Sequence, residues 1–175
     1  MTVFWGAQVN IRVLAKLLLF GIFCFGGSAV FQPQSAPASD ANVPRFASLA
    51  SSKVNVRVGP GKRYPISWVY VRSGWPVEII AEYELWRQIR DVEGDTGWIH
   101  TSLLSNRRTI LITDAQRPLY ENPNEESSVI LLADPGVQGR LLECDGHWCL
   151  VDIAGNEGWL KTTDFYGVHE NEKIR

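Results

Sequence analysis

A stretch framed by tryptophans occurs twice in this chain. The first copy, from Trp86 to Trp98, is W-R-Q-I-R-D-V-E-G-D-T-G-W, and the second, from Trp148 to Trp159, is W-C-L-V-D-I-A-G-N-E-G-W. In each copy an alternating apolar run is followed by a glycine turn and a closing Gly-Trp, which is the pattern of a β-hairpin. A unit repeated at a fixed spacing predicts two copies of one small β domain.

An offset of 62 residues aligns most of the first copy with the second, and it places Gly74 on Gly136, for example. Under this offset Tyr64 aligns with Glu126. Alternating or β-rich runs predict strands in the first copy, at 54–58, 66–71, 77–81, 86–92 and 97–100. One helical turn is expected at 101–104, and no stretch has a sustained period of 3.6 residues. The sequence therefore predicts an all-β fold.

The first 44 residues have the features of an export signal followed by a spacer. The only charges in the first 39 residues are Arg12 and Lys16, and the apolar run 17–25 follows them. Small residues then permit cleavage after Ala29. Residues 32–44 have the Pro-, Ala- and Ser-rich composition of a flexible spacer. We expect a periplasmic or other extracytoplasmic location. An uncleaved membrane anchor is the alternative, although the apolar stretch is short for a spanning helix.

The two halves of the remaining chain differ in charge. Residues 45–112 contain ten Lys and Arg against six Asp and Glu, whereas residues 113–175 contain five against twelve. The whole chain has a formal charge of −2, which provides no general attraction to nucleic acid. Export and an acidic second half also disfavour nucleic acid as a partner.

Several motifs in the first copy resemble the bacterial SH3-like (SH3b) domain family. They are V-N-V-R-x-G-P-G, the Tyr-Pro of the next loop, W-x-x-I and G-W-I. The longer strings R-V-G-P-G-K-R-Y-P-I-S-W-V and G-W-I-H-T-S-L-L-S-x-R-R are similar to an exported two-module branch of that family whose function is unknown. The resemblance implies two tandem, strongly bent β-barrels, module 1 at 45–112 and module 2 at 113–167, with a frayed polar tail at 168–175. It also implies binding to the cell wall or to a peptide.

Two cysteines flank the tip of a predicted hairpin in module 2. Cys144 and Cys149 would be neighbours on adjacent strands, within reach of a disulfide in an oxidising compartment. The aligned pair in module 1, Glu82 and Arg87, has opposite charges. We therefore predict a structural disulfide. A metal site that includes His147, or a cysteine nucleophile, is the alternative, but three ligands this close on one hairpin rarely complete a tetrahedron.

The sequence contains no motif that predicts catalysis, a metal or a cofactor. It has no Gly-x-Ser-x-Gly, no His-Glu-x-x-His and no phosphate-binding glycine loop. We expect a non-catalytic protein that binds peptidoglycan or a peptide through basic and aromatic residues of module 1. The candidate ligand-binding residues are Arg57, Lys62, Arg63, Tyr64, Trp68 and Trp75.

Two alternatives accompany this interpretation. Aromatic residues of so small a barrel are needed for its core, and we expect Trp86 and Trp98 there, whereas Tyr64 suits either role. The other alternative is a structural or adaptor protein of the cell envelope that binds a partner protein and no wall ligand. A membrane would be a partner only if the N-terminal segment is not cleaved.

Overall fold

The computed structural model describes residues 43–175, which belong to one compact unit. The predicted export signal, its cleavage site and nearly all of the spacer lie outside the described residues. Residues 43–175 contain no helix that is long and apolar enough to span a membrane.

Within the described residues, fourteen short strands form two separate antiparallel sheets. The first sheet contains β1 (Arg45–Leu49), β2 (Val54–Arg57), β3 (Ile66–Tyr70), β4 (Pro76–Tyr83), β5 (Trp86–Arg90), β6 (Thr96–His100) and β7 (Leu104–Ser105). The second contains β8 (Thr109–Ile112), β9 (Arg117–Tyr120), β10 (Val129–Ala133), β11 (Gln138–Cys144), β12 (Trp148–Ile153), β13 (Asn156–Lys161) and β14 (Phe165–Tyr166). Single 3-10 turns at Thr101–Leu103 and Thr162–Asp164 precede the last strand of each sheet.

The two sheets have the same topology. The strand order is β3-β2-β6-β5-β4-β1-β7 in the first sheet and β10-β9-β13-β12-β11-β8-β14 in the second. Each strand of the second sheet thus corresponds to a strand of the first sheet whose number is lower by seven, so that β8 matches β1 and β14 matches β7. An all-β fold in two tandem modules is confirmed, as is the single helical turn expected after β6.

Each sheet must curve strongly, because it covers its own core. In module 1 the buried side chains of β1, β2, β4, β5 and β6 form one cluster. β1 and β2 lie four strand positions apart, a separation of about 19 Å in a flat sheet. Residues of both strands can share one cluster only if the sheet bends back on itself. Module 2 has an equivalent cluster of its own.

Glycine residues mark the sites of closest approach inside each curved sheet. A Cβ on Gly97 would overlap the Val56 side chain and lie 3.2 Å from the Arg57 carbonyl oxygen. In module 2 a Cβ on Gly158 would lie 2.7 Å from Leu119 Cγ. The glycine of each repeated Gly-Trp is therefore needed because β2 and β9 pass directly over it.

The structure corrects two boundaries of the sequence interpretation. Strand Thr109–Ile112 pairs with β11 and β14 of the second sheet, so module 2 begins before residue 113. The tail is not frayed as expected, because Ile174 forms a backbone bridge with Cys144 and Glu172 pairs with Arg108 at 2.7 Å. The tail is thus part of module 2.

The two modules contact each other through residues that belong to neither core cluster. Phe46 of module 1 meets the ring of Tyr166 edge-on at 5.0 Å and the ring of His169 at 4.8 Å. The Tyr166 hydroxyl donates a hydrogen bond to the Arg90 carbonyl oxygen at 3.0 Å. Burial raises the pKa of Tyr166, which therefore stays neutral and able to donate. A second contact joins Thr109 Oγ1 to the Gly74 carbonyl oxygen at 2.7 Å.

Candidate functional site

The loop between β2 and β3 is built around Tyr64. A Cβ on Gly59 would lie 2.6 Å from Tyr64 Cδ1, and one on Gly61 would lie 3.3 Å from Tyr64 Cδ2. The Tyr64 ring therefore packs directly on the backbone of Gly59 and Gly61, where no side chain would fit. This contact explains the two glycines of the Gly-Pro-Gly motif, because larger residues would displace the ring.

Arg57 fixes the shape of this loop from its first strand. Its guanidinium donates a hydrogen bond to the Tyr64 carbonyl oxygen at 2.7 Å. The backbone amide of Val58 donates to the Pro65 carbonyl oxygen at 3.2 Å and closes the base of the loop. Arg57 thus acts on the loop backbone, and two of the three predicted basic residues, Lys62 and Arg63, are exposed to solvent.

The exposed cations of the loop are Lys62 and Arg63. The Arg63 guanidinium lies over the Tyr64 ring, 5.2 Å from its centroid, and donates a long hydrogen bond of 3.5 Å to the Tyr64 hydroxyl. That hydrogen bond raises the pKa of Arg63, whose guanidinium is charged at physiological pH in any case. Among residues 43–175 neither cation has a carboxylate partner. Both charges are available to a ligand.

A groove of about 400 Å³ separates this loop from the hairpin that joins β4 to β5. We call it the module 1 groove, and its lining residues are Pro60, Gly61, Lys62, Arg63, Tyr83, Glu84 and Trp86. It places two cations opposite two aromatic rings, an arrangement suited to a ligand with both anionic and apolar parts.

The structure changes the interpretation of Trp86, which was expected in the core. Trp86 is half-buried, meets the His100 ring edge-on at 5.4 Å and lies in the groove wall outside the buried cluster. Sequence analysis did not select Tyr83 or Glu84. The available signal was an aromatic residue on each side of a two-residue turn, between the predicted strands 77–81 and 86–92.

Trp68 and Trp75 pack against the core of module 1 and do not line this groove. Trp68 meets the Tyr70 ring edge-on at 6.1 Å. The Arg72 guanidinium lies over the Trp75 ring, 5.7 Å from its centroid. The Trp75 carbonyl oxygen accepts a hydrogen bond from the Leu49 backbone amide. The six predicted binding residues therefore do not form one surface, because only Lys62 and Arg63 line the groove.

The loop of module 2 aligns with that of module 1 at an offset of 63, not 62. The amide of Tyr64 donates to the Gly61 carbonyl oxygen at 3.1 Å, and the amide of Ser127 donates to the Asn124 carbonyl oxygen at 3.3 Å. The counterpart of Tyr64 is thus Ser127, and the alignment with Glu126 is wrong. The offset returns to 62 after β10, because the connection to β11 is one residue shorter than its module 1 counterpart.

This corrected register reverses the charge of the second loop. Glu125 and Glu126 of module 2 take the places of Lys62 and Arg63. Glu125 pairs with Lys161, and the Lys161 ammonium lies 5.7 Å from the centre of the Trp148 ring. The module 2 loop therefore carries two carboxylates, of which Glu125 is paired with Lys161, and the two modules cannot present the same surface to a ligand.

The predicted disulfide joins Cys144 to Cys149 across the β11–β12 hairpin, and the prediction is confirmed. The bond uses both thiols, so the alternatives of a metal site or a cysteine nucleophile at this hairpin are wrong. At the matching position of module 1, Glu82 contacts Arg87 at 3.1 Å and Arg45 at 2.5 Å. Module 1 thus secures its hairpin with a three-residue ionic cluster.

A group of three acidic residues lies in the turn after β5, at Asp91, Glu93 and Asp95. Asp91 Oδ1 accepts hydrogen bonds from the backbone amides of Glu93 and Asp95, at 3.0 and 2.9 Å. Its Oδ2 accepts one from the Tyr70 hydroxyl at 2.8 Å. Burial raises the pKa of Tyr70. The hydrogen bonds of Asp91 thus organise the turn.

Comparison with known proteins connects this structure to a described family. The model of the bacterial SH3 domain matches residues 50–106 and again 114–165. The putative N-acetylmuramoyl-L-alanine amidase YrvJ of Bacillus subtilis is 27% identical over 127 residues. The match covers 66% of this chain and 24% of the relative, so the chain spans about a quarter of that protein's length.

Solved structures with some similarity include NlpC1 of Trichomonas vaginalis and an NlpC/P60 family protein of Bacillus cereus. NlpC1 is 14% identical with a TM-score of 0.34, and the match covers 76% of this chain and 49% of that one. The second is 16% identical with a TM-score of 0.32 and coverage of 74% and 58%. These TM-scores are too low to establish a shared overall arrangement.

Proposed function

This chain belongs to the bacterial SH3 domain family, and we propose that it is an exported binding protein that recognises peptidoglycan, or a peptide of the envelope, through the module 1 groove. The observation that carries the proposal is the groove itself, where Lys62 and Arg63 lie opposite Tyr83 and Trp86. The name of the Bacillus relative refers to a sugar–peptide linkage, and both parts of such a linkage suit this surface.

We propose that the cations of the groove bind carboxylates and that its rings bind the apolar parts of the ligand. Contacts of this kind at exposed sites contribute about 0.5–1 kcal/mol each. Two or three of them support only modest affinity, which falls as salt screens the charges. Because the module 2 loop is acidic, residues 43–175 offer one such site, and retention on a wall depends on the density of repeated ligands.

We also propose that this chain has no catalytic activity. Both cysteines of the described part are joined in the disulfide, so residues 43–175 offer no thiol nucleophile. The acidic cluster after β5 is used to hold a turn. Export is proposed from the N-terminal basic and apolar segment, which suits a ligand outside the cytoplasm.

Co-sedimentation with purified peptidoglycan tests the proposal. Wild-type protein should pellet with the wall at low salt and less so at 0.5 M salt, a concentration of about three times physiological ionic strength. Arg63→Glu and Trp86→Ala should each reduce the bound fraction several-fold. Lys53→Glu is the matched control, because it makes the same charge change on an exposed residue outside the groove. Wild-type protein that stays in the supernatant at low salt would overturn the wall-binding proposal.

The second candidate is an adaptor role, and one observation favours it. β3 and β10 each lie at one edge of their sheet and carry exposed apolar residues, among them Val69, Ile130 and Leu132. Exposed edge strands can pair with a strand of another protein. Binding to a partner protein with no wall binding would support this role.

A further inference from the structure

A second cleft, of about 520 Å³, lies where the two modules meet. We call it the seam cleft, and its lining includes Gly74, Arg107, Gln138, Gly139, Arg140 and Asp152. Its volume lies within the range typical of small-molecule sites, which often form between domains. The lining contains no aromatic ring and mostly small side chains, so it suits a small, polar ligand better than a stacked sugar ring.

The amide of Gln138 makes no hydrogen bond within the seam cleft. Its Nε2 is buried and without a partner, and no side-chain hydrogen bond of Gln138 occurs within residues 43–175. The same nitrogen lies 3.8 Å from the position of a Cβ on Gly74, so it sits at the contact between modules. A buried polar group without a partner destabilises the folded protein. An apolar residue at position 138 would stabilise the unliganded protein better than glutamine does. The presence of Gln138 therefore points to a ligand that satisfies its amide.

The charges of the cleft favour a single negative charge. Arg140 is neutralised by Asp152, whose Oδ2 lies 3.1 Å from the guanidinium. Arg107 is exposed, and its guanidinium has no ion pair or hydrogen bond with any residue of the described chain. One uncompensated cation and one unpaired amide in the lining of the same cleft suit a carboxylate, whereas a phosphate would bring a second charge.

We propose that the seam cleft binds the free C-terminal carboxylate of a short peptide that ends in small residues. Arg107 pairs with the carboxylate, and the Gln138 amide donates a hydrogen bond to it. The small side chains around Gly74 and Gly139 leave room for alanine-sized groups. The site exists only when both modules are in contact, because module 1 contributes Gly74 and Arg107 whereas the second sheet contributes Gln138 and Gly139. This proposal is independent of ligand binding in the module 1 groove.

Titration of the ¹⁵N-labelled full chain with alanyl-alanine, followed by NMR, tests the proposal. The D,D and L,L forms are compared with their C-terminal amides, which lack the carboxylate. We expect shifts of the Gly74, Gln138 and Gly139 amides, and binding of the acid at least tenfold tighter than that of the amide. Preference for the D,D form indicates peptides of the wall, and equal binding indicates ordinary peptide C-termini. Both results support a carboxylate site.

Two variants separate a binding role from a structural one. Arg107→Gln and Gln138→Leu should each weaken dipeptide binding tenfold or more, whereas Lys53→Gln, the matched charge control, should not. Gln138→Leu should leave the urea midpoint of the free protein equal or higher, because it removes a buried unpaired amide. The proposal is overturned if no shifts occur, if acid and amide bind equally, or if Gln138→Leu lowers the midpoint and leaves binding intact.

Discussion

Reduction of the Cys144–Cys149 disulfide measures how much a covalent link contributes to module 2. The two cysteines are direct cross-strand partners with Cα atoms 4.1 Å apart, and they lie five residues apart in sequence. The bond therefore closes a loop of six residues. Loop-closure entropy for a loop of this length stabilises the folded state by about 2 kcal/mol at 25 °C. Both residues are buried, so reduction changes the packing volume very little.

The assay is urea unfolding followed by tryptophan fluorescence, with and without a phosphine reductant. Because the free energy falls by about 1–3 kcal/mol per molar urea, the reduced protein should unfold at a midpoint lower by roughly 1 M. Mass spectrometry of the reduced protein should show a gain of two hydrogens. A Cys144→Ala/Cys149→Ala variant is the control, because the reductant should not change its midpoint.

Two results would refute this reasoning. If oxidised and reduced midpoints coincide, closure of the short loop does not stabilise module 2. If reduction costs more than about 4 kcal/mol, loop entropy cannot be the whole cause, because a loop of six residues contributes only about 2 kcal/mol. Packing around the sulfur atoms would then dominate.

Three further predictions concern the remaining polar contacts. Glu82→Gln should destabilise module 1 by about 3 kcal/mol in urea unfolding, because the side chain is only 6% exposed and two arginines would lose their anion. Tyr70→Phe should cost about 1.5–3 kcal/mol, since buried Asp91 loses a donor while the ring is kept, and equal midpoints would contradict this. Burial raises the pKa of Glu172, but hydrogen bonds from Arg108 and the backbone amide of residue 169 lower it more, to a net value below 4.5. Its contribution is therefore present above pH 4.5 and is lost as the pH falls through the lowered value, so the stability difference between wild type and Glu172→Gln should shrink on acidification.

The parts of the fold that local sequence encodes were predictable. Alternation and glycine turns identify β5, β6, β12 and β13, because a hairpin is specified by residues close in sequence. The disulfide followed from the same argument, since the register of a short hairpin fixes which residues are neighbours. β1 was missed because four of its five residues are buried, which leaves no alternation to detect.

The candidate site was predicted in part. Lys62 and Arg63 are recognisable as a basic loop, but Tyr83 and Trp86 lie about twenty residues later on a different hairpin. Their position in the groove depends on how far the sheet bends, and sequence spacing does not contain that angle. The reversal of charge at Glu125 was also hidden, because pairing of β9 with β10 sets a register that a constant offset does not reproduce.

The sequence by itself thus determined two β modules, their family and the covalent link of the second, because each depends on short-range patterns. Only the tertiary structure decided which aromatic residues leave the core, where the two modules touch and what their contact encloses. Phe46, Thr109 and Gln138 show no pattern in the sequence. Their roles arise because two curved sheets meet with particular edges, so that residues far apart in the chain share one surface.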